Sequence, residues 1–176
     1  MNLAYTMAPG RGDTDQLLFS LAKELTRIGC RVCGTVQVNT DCGVHPCDMD
    51  VQIIPDGPIL RISQNLGSQA KGCRLDASAL ETAVGLVATR LEQGTDVLII
   101  NKFGKHEAEG RGFRTLIGEA LSSGVPVIVG LNKLNAEAFQ TFADGCAVEV
   151  SPDQPAILDW LQSVGDPLAA PRVVNS

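Results

Sequence analysis

Aromatic side chains are scarce in this sequence. Five Phe, one Tyr and one Trp make up 4% of its 176 residues, so aliphatic side chains must fill the core. Positive charge is in deficit as well: 14 Lys and Arg stand against 20 Asp and Glu, a formal charge of −6. That balance argues against broad electrostatic binding to nucleic acid, though it leaves room for a local basic site. No apolar run approaches the roughly 20 residues that a membrane-crossing helix needs. The N-terminus has no basic segment followed by an apolar one, the pattern of a secretory signal. These absences predict a cytoplasmic protein with neither a membrane nor nucleic acid as partner; a homo-oligomer stays open. Cysteine is not lacking. Cys30, Cys33, Cys42, Cys47, Cys73 and Cys146 are many for a cytoplasmic domain, and reduced thiols are the expected state.

The length fits one domain with an ordinary core, expected over 1–164, with a loose tail at 165–176 that carries Pro167 and Pro171. Residues 2–6 read as a strand. From Thr14 onward Leu17, Leu18, Leu21, Ala22, Leu25 and Ile28 recur at helical spacing, with Asp13 or Thr14 as cap and Gly29 as stop. "CRVCGTVQV" (30–38) is β-rich. "VQIIPDGPILRIS" reads as two short strands around the turn Pro55-Asp56-Gly57. Asp76 or Ser78 opens a second helix whose buried stripe is Leu80, Ala83, Val84, Val87 and Leu91. "DVLII" and "VPVIVGL" are apolar runs of the kind buried on both faces of a sheet. A helix at about 113–122 lies between them, and "NAEAFQTFADG", "CAVEV" and "QPAILDWLQSV" follow as helix, strand and helix. This alternation predicts a three-layer α/β fold: a mainly parallel sheet, helices on both faces, and an antiparallel hairpin insertion near 52–62.

In such a sheet ligands bind beyond the carboxyl ends of the strands. The loops there, 7–13, 39–50, 101–112 and 131–135, hold both histidines and much of the reactive chemistry. "MAPGRGDTDQLL" has the outline of a phosphate loop, which needs backbone N–H groups at a helix N-terminus, a lysine, and a hydroxyl for Mg²⁺. Gly10, Gly12 and Thr14 fit; Met7 replaces the first glycine, and Asp13 stands where the lysine belongs. A carboxylate there repels a triphosphate, so ordinary ATP hydrolysis is not expected. The alternative is a plain strand-to-helix turn with Asp13 favourable beside the helix dipole. In "INKFGKHEAEGRGFR", Lys102, Lys105, Arg111 and Arg114 can supply positive charge, and the backbone around Gly110 and Gly112 can face an anion. The competing reading is a solvated loop with internal Glu–Lys pairing. His106 beside Glu107 offers an acid–base pair. "LNKLN" (131–135) lacks the Asp of a guanine-recognition motif.

Cys30 and Cys33 are three apart in an expected strand, so their side chains fall on opposite faces and are taken as structural. Cys42, His45 and Cys47 share a loop and with Cys73 can form a Cys₃His set for zinc or another transition metal, or a thiol-redox site. Their C-x₂-H-x-C spacing is not a standard zinc pattern.

"NKFGKHEAEGRGFR", with "GCRLD" upstream and "APGRGDTDQLL" and "VCGTVQ" near the start, resembles DUF2478, a bacterial family of unknown function, over nearly the whole chain. That family is similar to THEP1-like nucleoside triphosphatases, which implies a P-loop fold. Those enzymes read D-E-x-G-x-M-E where this chain has Asn101-Lys102-Phe103-Gly104-Lys105-His106-Glu107. Gly104 and Glu107 match, while the metal-binding acidic pair becomes Asn101 and Lys102. With Asp13, this marks a degenerate Walker A loop and a lost Walker B acid, and the resemblance does not carry the enzymatic role across. Family members are sometimes labelled with molybdenum transport, which implies an oxyanion ligand.

The sequence therefore predicts first a binding protein for a small anion, a phosphate, nucleotide or molybdate-like oxyanion. Its receptor would be Gly10, Arg11, Gly12, Asp13, Thr14, Asn101, Lys102, Lys105, Arg111 and Arg114. The alternatives are a metal or thiol-redox protein using Cys42, His45, Cys47 and Cys73, and a divergent triphosphatase using His106 and Glu107.

Overall fold

A computed structural model describes residues 1–39, 49–64 and 75–165. Its first helix shows how the sequence pattern becomes packing. Strand β1 (Leu3–Thr6) runs through a glycine turn into α1 (Asp13–Arg27), which buries Leu18, Leu21, Ala22 and Leu25 along one stripe. Each leucine so removed from water contributes about 2 kcal/mol. Gly29, at φ 88°, ends the helix, and the Cys30 N–H reaches back to the Leu25 carbonyl at 2.9 Å. Strand β2 (Val32–Asn39), β3 (Met49–Ile54) and β4 (Ile59–Arg61) follow. The turn between β3 and β4 is closed by Gly57 N–H donating to the Ile53 carbonyl at 2.8 Å. Helix α2 (Ala77–Glu92) is capped by Asp76, whose carboxylate accepts from Ala79 N–H at 3.0 Å.

Strand β5 (Val97–Ile100), the single turn α3 (Lys105–Ala108), α4 (Arg114–Ser122) and β6 (Val127–Gly130) come next. A 3₁₀ turn (Lys133–Asn135), α5 (Ala136–Ala143), β7 (Ala147–Glu149) and α6 (Gln154–Ser163) complete the order. The single turn α3 falls inside the expected 101–112 loop; it forms around the Glu107 side chain, which accepts from Gly104 N–H and Phe113 N–H, with no helical periodicity to announce it.

The seven strands form one sheet in the order β4-β3-β2-β5-β6-β1-β7. β2, β5, β6, β1 and β7 run parallel, β3 pairs antiparallel with β2, and β4 pairs antiparallel with β3 at the edge. Two apolar layers flank it. Leu80, Ala83 and Val87 of α2, Leu116 and Ile117 of α4 and Phe139 of α5 fill one face. α1 and α6, with Trp160 and Leu161, fill the other. β5 and β6 are buried throughout, as their unbroken apolar runs predict. Cys33 lies in the first layer and Cys30 in the second, so the two thiols do sit on opposite sides. Burial pushes the Cys33 thiol upward, only partly offset by its hydrogen bond with Thr95, and such a thiol is a packing group. Among the described residues, no helix is long and apolar enough to cross a membrane.

Candidate functional site at the carboxyl edge

Thr6, Asn101 and Gly130 end three neighbouring parallel strands or directly follow them. Strand alternation turns all three toward the α1 face, because Ala4, Ile99 and Ile128, two residues earlier in each case, belong to that layer. The loop after β1 reaches α1 through Gly12, left-handed at φ 82°, which is the N-cap. The expected Asp13 or Thr14 cap is not made: α1 starts with no side-chain cap. Thr14 instead staples the loop, its Oγ1 accepting from Ala8 N–H at 3.0 Å. Asp13 folds back over the turn. A Cβ on Gly10 would stand 2.1 Å from Asp13 Oδ2, so a side chain there would push that carboxylate aside. Arg11 is exposed, with no charged partner among the described residues.

The loop after β5 is anchored from several sides. Asn101, 4% exposed, donates through Nδ2 to Asp15 Oδ1 at 2.7 Å, tying this loop to the first turn of α1. Phe103 N–H donates to the Gly130 carbonyl at 3.1 Å. The Phe103 ring is fully buried, edge-on to Phe139 at 5.2 Å and stacked on Phe142 at 5.4 Å. Several of the few aromatics thus converge here, each such pair adding about 0.5–1.5 kcal/mol beyond area burial.

Glu107 is the centre of the rest. It is 3% exposed. Its Oε2 accepts from Gly104 N–H at 2.9 Å and its Oε1 from Phe113 N–H at 3.1 Å. Gly112 N–H donates to Glu81 Oε1 of α2 at 3.0 Å, and Gly110 N–H and Arg111 N–H go to the Glu107 and His106 carbonyls. Of the glycine-rich segment expected to face an anion, the Gly112 and Phe113 N–H groups meet this protein's own carboxylates, while those of Gly110 and Arg111 meet backbone carbonyls. Glu81 lies 31 residues away in sequence, and nothing local could have announced it.

The expected cations divide into two kinds. Arg111 bonds Glu109, and Lys105 lies 3.7 Å from the same carboxylate. Glu109 is held below the usual carboxylate range by the Arg111 hydrogen bond first, then by the nearby charges of Lys105, Arg111 and His106. Arg114 donates to the Glu107 carbonyl at 3.3 Å and lies over the Phe142 ring at 4.8 Å. Lys102 is exposed, with no charged partner among the described residues. Two buried oxygens close the list: Asn101 Oδ1 and Thr6 Oγ1 have no hydrogen-bond partner. Cys42, His45, Cys47 and Cys73 lie outside the described residues. Among those described, no group of three or more His, Cys, Asp or Glu side chains is placed to hold a metal.

The model of the family described as "Protein of unknown function (DUF2478)" matches residues 3–160. A curated relative from Bradyrhizobium diazoefficiens, "Molybdenum import ATP-binding protein ModC 2", is 37% identical over 150 residues. The match covers 84% of this chain and 17% of the relative, so this chain spans a small part of that protein's length. Two solved structures share the fold. THEP1 from the hyperthermophile Aquifex aeolicus superposes with a TM-score of 0.62 at 17% identity, covering 97% of this chain and all of that one. A human cancer-related nucleoside triphosphatase superposes with a TM-score of 0.64 at 20% identity, covering 92% and 97% of the two chains. The architecture is thus P-loop NTPase-like.

Proposed function

The chain belongs to the DUF2478 family, and from that premise we propose that it is an anion-binding module on a P-loop NTPase-like fold, taking a molybdate-like oxyanion at the carboxyl edge of the sheet. The observation that carries this is the start of α1: a helix N-terminus with no side-chain cap, behind a glycine turn, where the fold binds ligands. Backbone N–H groups there carry about half a positive charge. In the loops after β1 and β5, Arg11 and Lys102 are exposed cations with no partner among the described residues. Arg111 and Arg114, engaged with Glu109 and Phe142, serve the loop and not the ligand. The name of the Bradyrhizobium relative pairs molybdenum import with ATP binding, which supports molybdate ahead of plain phosphate and keeps a nucleotide as the second reading. Hydrolysis is not part of the proposal, because Asp13 and Asn101 replace the charges that phosphoryl transfer uses.

Asp13 decides how tightly the site holds an anion, since its carboxylate lies over the same turn. Isothermal titration with molybdate, tungstate, sulfate, phosphate and ATP tests the reading. Heat with molybdate is expected, strengthened about tenfold or more in Asp13→Asn, because unit charges at 4 Å repel by roughly 1–4 kcal/mol in a wet site. Lys102→Ala is expected to weaken it. No heat with any of the five anions, in either the native protein or Asp13→Asn, would overturn the proposal.

A further inference from the structure

The turn offered to an anion carries a carboxylate of its own. Asp13 opens α1 and folds back on Gly10, where an added Cβ would stand 2.1 Å from Oδ2 and 3.1 Å from Oδ1. That carboxylate has no hydrogen-bond or ion-pair partner among the described residues, whereas Asp15 accepts from Asn101 Nδ2 at 2.7 Å. Beside the first-turn N–H groups an uncommitted carboxylate is favourable in the free protein. It becomes costly when an oxyanion arrives, since unit charges 4 Å apart repel by roughly 1–4 kcal/mol in a wet site. Thr6 marks the same place from below. Its side chain is fully buried at the end of β1, on the α1 face where this loop begins, and its Oγ1 has no partner. A hydroxyl so placed is satisfied by an oxygen lodged under the turn.

We propose that the site takes its oxyanion in a protonated form, with Asp13 accepting a hydrogen bond from an O–H of the ligand. This rests on the anion reading above and names the class of anion. Two anionic oxygens at contact distance do not both stay unprotonated, and a proton shared between them replaces repulsion by a charge-assisted O–H···O⁻ hydrogen bond. Hydrogen phosphate brings that proton with it. Sulfate and molybdate carry none near neutral pH, so each draws one from the buffer as it binds: an O–H bond forms on the ligand and the buffer acid loses its proton. A lysine in place of Asp13, a donor with no acceptor capacity, would select the fully ionised anion instead. Other charged groups also reach this edge. Arg11 lies in the same loop, Lys102 and His106 follow β5, Lys133 follows β6, and Asp153 caps α6. Carboxylates ordinarily titrate below neutral pH, and Lys and Arg well above it. Histidine is the side chain able to imitate a proton taken up near pH 7, so His106 is the control.

Isothermal titration in buffers of different ionisation enthalpy counts the protons. Molybdate binding at about pH 7 should take up about one proton per anion, and its affinity should rise by up to about tenfold for each pH unit from about pH 8 down to 6. At about pH 8, hydrogen phosphate should bind with no uptake and about tenfold or more tighter than sulfate, its match in size and charge. Asp13 is exposed, so Asp13→Asn leaves the core untouched, and in it both signatures should vanish. Its amide donates to the fully ionised anions, uptake falls to near zero, and sulfate and phosphate bind alike. His106→Gln should leave the uptake unchanged. Molybdate binding without proton uptake, uptake that survives Asp13→Asn or disappears in His106→Gln, or equal affinities of the native chain for sulfate and hydrogen phosphate would each overturn the protonated ligand while leaving the anion site standing. Silence with every anion would overturn the anion reading, and this inference with it.

Discussion

Gly34→Ala is expected to remove most of the stability of this domain. Gly34 lies in β2 opposite Ile99 of β5, at φ 129°, a backbone conformation essentially closed to residues with a Cβ. An added Cβ would stand 1.8 Å from the Ile99 carbonyl oxygen and 2.7 Å from its carbon. Both are backbone atoms, so no side chain can swing aside. The β2–β5 pairing is also the seam that joins the β4-β3-β2 half of the sheet to the β5-β6-β1-β7 half. Relieving the overlap means opening that seam and with it the packing of Val36 and Ile99. The cost falls in the exceptional class, about 4–5 kcal/mol or more, against a total stability of about 5–15 kcal/mol for a domain. Urea denaturation followed by circular dichroism measures it. A native-like midpoint for Gly34→Ala would show that the β2–β5 approach is looser than described. Gly85→Ala is the contrast: its added Cβ meets nothing within 4 Å, and in the middle of α2 the change should stabilise slightly.

That pairing also shows what a sequence can and cannot reveal. The apolar runs in 97–100 and 127–130 announce buried parallel strands because every residue in them is apolar, a local property. The α1 stripe is legible for the same reason. Gly34 is not, since a glycine in a β-rich run reads as a weak spot until the Ile99 carbonyl is placed against it. The candidate site divides along the same line. Gly10, Gly12 and Thr14 stand out because a strand-to-helix turn is a short-range pattern, and Asp13 stands out against that pattern. The base-rich 101–114 loop was legible as charge but not as pairing. Arg111 with Glu109 is a local neutralisation, whereas Glu81, Asp15 and Thr6 enter from elements far away in the chain. Asp13 as a helix cap was a reasonable local expectation; the glycine turn carries the carboxylate back over Gly10 instead, and Gly12 takes the cap position. Charge can be counted along a chain, but which charges remain for a ligand is decided by the fold.

Glu107→Ala is expected to unfasten the loop while leaving the sheet intact, and it separates two roles that the sequence left open. A Glu beside a His at a strand-following loop reads as an acid–base candidate. In the fold both of its oxygens are already occupied, by Gly104 N–H and Phe113 N–H, and the carboxylate is 3% exposed. Gly112 is shaped to it: a Cβ there would stand 2.2 Å from Glu107 Oε1, at a φ of 59°. Removing the carboxylate leaves two amide donors without partners in a buried site, at about 1–3 kcal/mol each. The loss should therefore be roughly 2–6 kcal/mol if global and smaller if the loop opens alone. Glu107→Gln should fall between, because its NH₂ group must face one of the two N–H donors. Hydrogen exchange distinguishes the outcomes: faster exchange at Gly104 and Phe113, with Ile99 and Val129 in the central strands unchanged, is the expected pattern. Anion affinity should drop in parallel, since Lys102 is carried by the same loop, even though a negative charge has been removed nearby. An electrostatic role for Glu107 at the ligand predicts the reverse, tighter anion binding with unchanged exchange, and that result would make Glu107 a ligand-facing group and not the clasp of its loop.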